Sequence, residues 1–280
     1  MTLVSTGDLM DRTRTERAVL AFNVVTLEHI EGVLEGAHRA RRPVVIAVSE
    51  NAVAFHRGQL LPLTAAAVAA ANDTDVEVGL HLDHVEDAAL LEPAARAGYS
   101  SVMFDAGRLP YDDNVAATCA AASWGHEHGL WIEAELGFVG GKATQAQSAH
   151  DPGVRTDPEQ AAAFVTSTGV DALAVAVGSS HAMTTRTAVL DDDLIARLRT
   201  AVPVPLVLHG SSGVPDEGLR SAVASGMRKI NVGTALGMAY TGAVRDTLAA
   251  DPTIVDPRVY LAPARDAIAT LVAHLLTELT

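Results

Sequence analysis

Eight short β-rich segments recur along the 280-residue chain, and stretches with helical spacing separate them. One such stretch, 157–169, has Asp157 as a helix N-cap, Pro158 in the first turn and Gly169 at the end. Eight strands alternating with helices indicate a closed α/β barrel. A doubly wound open sheet usually has fewer strands and a glycine-rich turn after the first, which AFNVVTLEHI lacks. We therefore predict a (β/α)8 TIM barrel in one domain, residues 1–280, with strands at 19–25, 44–49, 78–83, 101–106, 131–137, 172–178, 205–210 and 229–234.

The composition favours parallel strands covered by alanine-rich helices. Hydrophobic residues make up 49% of the chain and aromatic residues only 4%, so Ala, Val, Leu and Ile must fill the core. The net charge of −14, with only Lys142 and Lys229 as lysines, predicts a surface that repels nucleic acid and anionic membranes. One cysteine, Cys119, and the lack of an apolar run near the ~18 residues of a membrane span predict a cytoplasmic protein.

Polar and titratable side chains gather at the carboxyl ends of the predicted strands. The amino ends are apolar instead, with pairs such as VL, VV and PL. In a barrel the carboxyl ends converge on one mouth, where such folds place their sites. This asymmetry predicts a functional site that contains Asp83, His84, Asp105, Glu133, Glu135, His181, His209 and Asn231.

Three of these side chains, His84, His181 and His209, come from separate strand ends and have carboxylates nearby. Imidazole is a ligand that zinc favours, and three protein ligands leave a position open for substrate. The alternative is that each histidine hydrogen-bonds only to its own strand end. Glu133 and Glu135 share the inward face of their strand, where an acid is costly unless it is paired or faces a cation.

Two further features concern the third strand and the last two. The segment GLHLDHVED places His81 and Asp83 on one face of the third strand, and we interpret His81 as a structural support. The loops HGSSGVPDEG at 209–218 and NVGT at 231–234 expose backbone amides and hydroxyls. Loops after the seventh and eighth strands of a barrel commonly hold phosphate, so a small phosphorylated molecule is the expected ligand.

Several long segments form an ordered and distinctive series: AFNVVTLE, LHLDH, SVMFDAG, EAELG-x-x-GG, TGVDALAVAVGSSH, PLVLHGSSGVPDE, KINVGT and DPRVY-x-x-P. In these segments the chain resembles the class II, metal-dependent aldolases of ketose bisphosphates, particularly the fructose- and tagatose-bisphosphate branch. The resemblance implies a lyase of carbohydrate metabolism, in glycolysis or a related route. Such an enzyme reversibly cleaves a ketose 1-phosphate or 1,6-bisphosphate to dihydroxyacetone phosphate and an aldehyde. The resemblance also implies a homodimer or homotetramer.

The resemblance further implies how metals would be held. His84, His181 and His209 would bind one catalytic Zn²⁺. Asp105 and Glu135 would form a second or alternative metal position. A monovalent cation is an additional expected ligand.

The resemblance assigns proton transfer at the leaving aldehyde to Asp83 and stabilisation of the enediolate to Asn231. The other class of aldolases uses a Schiff-base lysine. Lys229 is predicted at the beginning of the eighth strand, the wrong end of the barrel, which argues against that class. The residues that would grip dihydroxyacetone phosphate are Ala182, Gly210, Ser211, Ser212, Asn231, Val232, Gly233 and Thr234.

One departure from the family lies after the fifth strand. Relatives usually carry two adjacent acids after the double glycine, in a mobile loop that helps to move the substrate proton. Lys142 and Ala143 stand there in this chain. His150, Asp151 or another group would have to serve instead.

Two more departures concern the phosphates. Ala182 stands where glycine is expected, and Ala262 stands where bisphosphate aldolases commonly have a basic residue for the distal phosphate. Arg258 and Arg265 are near Ala262 in the sequence. We therefore hypothesise a ketose 1-phosphate aldolase whose distal group differs from the usual one.

Two other functions stay open at this point. Metal-assisted hydrolysis is one, although hydrolytic barrels usually place a His-x-His pair on the first strand and AFNVV has none. A degenerate barrel that binds a sugar phosphate without turning it over is the other, because the loop after the fifth strand is altered.

Overall fold

A computed structural model describes residues 2–13, 16–137 and 155–280. Neighbouring strands pair in parallel and in chain order, and the first strand closes the barrel by pairing with the eighth. The prediction of a (β/α)8 barrel is confirmed. The strands are β1 Val19–Asn23, β2 Val44–Ser49, β3 Val78–Val85, β4 Ser101–Phe104, β5 Trp131–Leu136, β6 Ala172–Val175, β7 Leu206–Leu208 and β8 Met227–Val232.

Helices follow the strands as the spacing predicts. In the helix Pro158–Thr168 the Asp157 side chain accepts a hydrogen bond from the Gln160 amide, and Gly169 ends the helix in a left-handed conformation. Short 3-10 turns lie at Ala88–Leu90 and Ser211–Gly213. The helices are α1 Thr6–Arg12, α2 Leu27–Ala40, α3 Glu50–Phe55, α4 Leu61–Asn72, α5 Leu91–Ala97, α6 Tyr111–Glu127, α7 Pro158–Thr168, α8 Asp192–Ala201, α9 Asp216–Ser225, α10 Thr234–Ala250 and α11 Pro257–Leu279.

Every strand except β2 differs from its predicted bounds, by one to three residues at one or both ends. β6 and β7 end earlier, because Gly178 and Gly210 have φ angles of 128° and 67° and turn the chain out of the sheet. β8 begins at Met227, two residues before Lys229. The prediction that Lys229 stands at the beginning of the strand, outside the region of the site, is therefore wrong.

The inside of the barrel is separate from the layer between barrel and helices, because successive side chains of a strand point to opposite faces. On β1, Leu20 and Phe22 belong to the main apolar core, whereas Val19 and Ala21 belong to a smaller inner cluster. Leu9 of α1 packs into that inner cluster. The short helix α1 therefore closes the amino-terminal end of the barrel.

A line of hydroxyl groups connects α1 to the third strand. His81 is fully buried, and its Nδ1 lies 2.8 Å from Oγ of Ser101. The Ser101 hydroxyl in turn donates to Oγ1 of Thr6, at 2.7 Å. His81 thus holds its place inside the barrel through the helix that closes it.

The contact between α2 and α11 is unusually close. A Cβ atom added at Gly32 would lie 2.8 Å from Cβ of Ile268, and one added at Gly36 would lie 2.6 Å from Cβ of Val272. By length and composition alone, α11 could cross a membrane. In this fold its apolar side covers α2, and the two glycines let the helix backbones approach.

We expect Gly36→Ala to lower the free energy of unfolding by about 1–3 kcal/mol, because the new methyl group overpacks the α2–α11 contact. Gly242→Ala is the matched control, since a Cβ there meets no atom within 4 Å and should stabilise α10 by about 0.4–1 kcal/mol. Chemical denaturation of both variants measures the difference. Equal stability of the two variants would contradict the close contact.

Candidate active site

The three predicted histidines meet at the carboxyl end of the barrel. Their ring centroids are 4.8 Å apart for His84 and His209, 5.2 Å for His84 and His181, and 5.7 Å for His181 and His209. With Glu135 they form a group in which one ligand atom from each side chain lies within 4.8 Å of the others. Three imidazoles and one carboxylate are a donor set that suits zinc.

Asp105 lies outside this group and contacts His84 instead. His84 has a left-handed φ of 51°, at a shift in the register between β3 and β4, and this turns the residue out of the regular strand. Its Nδ1 lies 3.1 Å from Oδ2 of Asp105, and Oδ1 of Asp105 accepts the Gly107 amide at 3.1 Å. A carboxylate on one ring nitrogen orients a histidine and leaves the other nitrogen for a metal.

His209 lies between two acids of β5. Its Nδ1 is 2.7 Å from Oε2 of Glu135, and its Nε2 is 3.0 Å from Oε1 of Glu133. Burial would lower the pKa of His209, but the hydrogen bonds to Glu133 and Glu135 outweigh it and raise the pKa to about 10. The ring thus faces a buried carboxylate on each side, and the donors of the group of four, three imidazoles and one carboxylate, fit a metal ion.

Asp83 is buried beside this group of four, the candidate metal-binding group. Its Oδ2 accepts a hydrogen bond from Nδ2 of Asn23 at 2.7 Å, and its Oδ1 accepts one from Nδ2 of Asn231 at 3.2 Å. Nε2 of His81 lies 3.6 Å from Oδ1. Burial would raise the pKa of Asp83, but the neighbouring histidines, His84 above all, hold it well below its usual range. The side chain is thus an ionised acceptor at the edge of the pocket.

A pocket of about 280 Å³ opens at this mouth of the barrel. Val232, a predicted phosphate-binding residue, is buried in β8 and does not line it. Asn23, Ser49, Asn51 and Ser180 line it although the sequence did not single them out. Asn23 and Ser49 are the last residues of β1 and β2, so the rule of strand ends could have found them. The predicted residues that line the pocket are Asp83, His84, His181, Ala182, Gly210, Ser211, Ser212, Asn231, Gly233 and Thr234.

The loop after β7 approaches the loop after β6 very closely. A Cβ at Gly210 would lie 2.6 to 2.9 Å from backbone atoms of Ser180, so only glycine fits there. The Ser211 hydroxyl donates to the Asn231 carbonyl at 2.5 Å, and Oγ of Ser212 accepts the Ala235 amide at 3.0 Å. These bonds fix the loop against the start of α10.

The departures noted in the sequence have different places in the structure. Ala182 has a φ of 58°, a conformation that favours glycine, so alanine is strained there. Arg258 is exposed and pairs with Asp256, whereas Arg265 pairs with Glu31 of α2. Neither arginine lines the pocket, and the residues that do line it in the described part of the chain include no lysine or arginine. The predictions for Lys142, Ala143, His150 and Asp151 concern residues outside those that the structure describes.

Comparison with known proteins identifies the family. The family described as fructose-bisphosphate aldolase class-II matches residues 4–280. A fructose-bisphosphate aldolase of Geobacillus stearothermophilus is 35% identical over 281 residues, which cover 99% of this chain and 97% of that protein.

This chain belongs to the class II fructose-bisphosphate aldolase family. It is therefore an aldolase, a lyase of a family that is generally metal-dependent. The YdjI aldolase of Escherichia coli K12 has a similar structure, with a TM-score of 0.83, 29% identity and coverage of 99% of this chain and 97% of that one. A protein described as a putative fructose-1,6-biphosphate aldolase from Coccidioides immitis has a TM-score of 0.85, 26% identity and coverage of 98% and 95%.

We expect Asp105→Asn to weaken metal binding about 10- to 100-fold, because the carboxylate that orients His84 is lost. Asp75→Asn is the matched control, since Oδ1 of Asp75 lies 2.7 Å from Nδ1 of the exposed His38, outside the barrel. Competition titration with a zinc-binding dye measures both affinities. Unchanged affinity in Asp105→Asn would show that the carboxylate does not position a ligand.

Proposed function

We propose that this aldolase is zinc-dependent and cleaves a ketose 1-phosphate to dihydroxyacetone phosphate and an aldehyde. The observation that carries the proposal is the meeting of three elements in one pocket. These are the histidine and glutamate group, the buried carboxylate of Asp83, and loops with accessible amides after β7 and β8. A hydrolase or a simple binding barrel has no need for all three together.

The metal and Asp83 would divide the work. Zinc held by His84, His181 and His209 would act as the Lewis acid for the negative charge that develops on the ketone oxygen. In the cleavage direction Asp83 takes the proton of the hydroxyl group on the carbon that becomes the aldehyde. The carbon–carbon bond then breaks, and its electron pair passes into the enediolate of the dihydroxyacetone phosphate half.

Asn231 would stabilise the enediolate through its amide. Its side chain lines the pocket, and Nδ2 lies 3.2 Å from the carboxylate of Asp83. A preorganised N–H donor of this kind lowers the barrier where negative charge forms on oxygen. Asn23, which donates to the other oxygen of Asp83 at 2.7 Å, would hold the base in place.

The phosphate would be held mainly by backbone groups. Gly210, Ser211 and Ser212 lie at the 3-10 turn after β7, and Gly233 and Thr234 lie at the start of α10. The amino end of a helix offers free N–H groups and a positive dipole to an anion. Because the chain has a formal charge of −14, a local site of this type suits a phosphate better than the overall surface does.

The distal end of the substrate would be polar and uncharged. Ser49, Asn51 and Asn23 line the pocket together with the phosphate-binding loops, and Ala262 lies on α11. A second phosphate would normally call for a cationic side chain. The relatives named above include fructose-bisphosphate aldolases, so this chain would share their chemistry and differ in the distal group.

We also propose a cytoplasmic homodimer or homotetramer that binds neither nucleic acid nor membranes, and that holds a monovalent cation in addition to zinc. The acidic composition supports the proposal that the protein binds neither nucleic acid nor membranes. Large apolar side chains exposed on or beside the packed helices α2, α10 and α11 support association between copies. These side chains are Leu27, Met238, Val255 and Val259.

A substrate panel tests the proposal. We expect ketose 1-phosphates with an uncharged distal end to have a kcat/KM at least about tenfold above that of fructose and tagatose 1,6-bisphosphates, because the described lining of the pocket offers a second phosphate no cationic side chain. A tenfold ratio corresponds to about 1.4 kcal/mol. Release of dihydroxyacetone phosphate is measured with and without a chelator, and added zinc should restore it.

Equal use of the bisphosphates would contradict the distal assignment, and cleavage that is insensitive to the chelator would contradict zinc dependence. Release of inorganic phosphate would point to a hydrolase, and a metal-loaded protein without turnover to a binding barrel.

Asp83→Asn should lower kcat by about 10²- to 10⁴-fold, because the amide cannot take the hydroxyl proton. Zinc content should stay the same, since Asp83 lies outside the metal-binding group. Steady-state kinetics and metal analysis of one preparation give both values. A kcat within about threefold of the unaltered enzyme would remove Asp83 from the proton transfer.

A further inference from the structure

Lys229 is a fully buried lysine behind Asn231, a residue that lines the pocket. Its Nζ lies 2.7 Å from Oε2 of Glu133 and 2.7 Å from Oδ1 of Asn231. An ammonium group can only donate hydrogen bonds. The atom of Asn231 that faces Lys229 must therefore be the amide oxygen, whichever way the two similar ends of an amide are assigned.

This contact fixes the other end of the amide. With Oδ1 turned to Lys229, Nδ2 of Asn231 points to Oδ1 of Asp83 at 3.2 Å and lies 3.3 Å from Nε2 of His209. Nε2 of His209 is itself 3.0 Å from Glu133, the second partner of Lys229. The ammonium group of Lys229 thus connects Asn231, which contacts Asp83, to Glu133, which contacts His209.

We propose that Lys229 is a positioning residue that keeps the N–H groups of Asn231 directed at Asp83 and the pocket throughout the reaction. This inference rests on the proposed function, in which Asp83 takes and returns a proton. While Asp83 is a carboxylate, it attracts Nδ2 by itself. Once it carries the proton it can donate, and the amide could turn its oxygen toward it. Lys229 prevents that turn because it holds Oδ1 in both states.

A purely structural role for Lys229 would be to neutralise Glu133. Lys229 lies 2.7 Å from Glu133. Burial would raise the pKa of this acid, but the charge of Lys229, followed by the hydrogen bond to His209, lowers it. Neutralisation of Glu133 does not require contact with Asn231, however, and the distance from Nζ to the amide oxygen is as short as the distance to the acid. The two roles make different predictions once Glu133 is replaced.

The variants are chosen to separate these roles. Lys229→Met alone would leave Glu133 as a buried acid without its cation, and the protein could fail to fold. Glu133→Gln and the double variant Glu133→Gln/Lys229→Met therefore form the main comparison, because an uncharged glutamine at this position needs no cation. Adding Asn231→Ala to each of these two variants shows whether Lys229 acts through Asn231.

The direct test is the side-chain amide spectrum of protein labelled with ¹⁵N at asparagine, which needs no turnover. The chain has five asparagines, at positions 23, 51, 72, 114 and 231, and the signal missing in Asn231→Ala identifies residue 231. We expect its amide protons to shift and to exchange with solvent at least about tenfold faster when Lys229→Met is added to Glu133→Gln. An unchanged signal would overturn the proposal, even if no ketose phosphate proved to be a substrate.

The kinetic test follows the same comparison. Adding Lys229→Met to Glu133→Gln should lower kcat at least about tenfold and change KM by less than about threefold, since the lost orientation matters for the developing charge. In the Asn231→Ala background the same addition should change kcat by less than about twofold. An equal loss in both backgrounds, or no loss in the first, would show that Lys229 does not act through Asn231.

Discussion

The rest of the site depends on one buried carboxylate, Glu133. It is fully buried, and an isolated charge there would cost several kcal/mol. It is tolerated because one oxygen faces Lys229 and the other faces His209. Lys229 also donates to Asn231, which in turn donates to Asp83, so Glu133 is linked to Asp83 by hydrogen bonds. Glu133 also contacts His209, which is a member of the candidate metal-binding group.

Most of the fold could be predicted because each of its causes is local. A strand that is buried on both faces reads as an apolar run, and Asp157 and Gly169 mark their own helix. The bounds of β6 and β7 could not be predicted as well. They depend on the left-handed conformations of Gly178 and Gly210, and in the second case on the approach of the Ser180 backbone.

The site could be predicted to the extent that strand ends decide it. His84, His181, His209 and Glu135 all follow from that rule, because the carboxyl ends of barrel strands converge. Lys229 was missed because its position in the strand does not show how far a long side chain reaches, and its Nζ extends to Glu133 of β5 and Asn231 of β8.

The difference between Asp105 and Glu135 shows a second limit. Both are acids near strand ends, and both resemble metal-binding positions. The left-handed turn at His84 and the shift between β3 and β4 direct Asp105 to the ring of His84, while Glu135 stays in the group of four. The sequence contains no sign of that backbone turn. The rule of strand ends also applies to Asn23 and Ser49, the last residues of β1 and β2, although an uncharged side chain is a weaker signal than a titratable one.

The charged side chains lie at one end of the pocket, and this arrangement affects which part of the substrate can vary within the family. The reacting end relies on buried ions that hold one another, so a change to Glu133, Lys229 or Asp83 disturbs the others. In the proposed function the phosphate end would rely on backbone amides, which few substitutions alter. The distal end of the substrate would face Ser49 and Asn51, which belong to neither set of contacts. Substitutions there can alter the preferred aldehyde while the carbon–carbon cleavage stays intact, which is why the distal group is where this chain would differ from its bisphosphate-cleaving relatives.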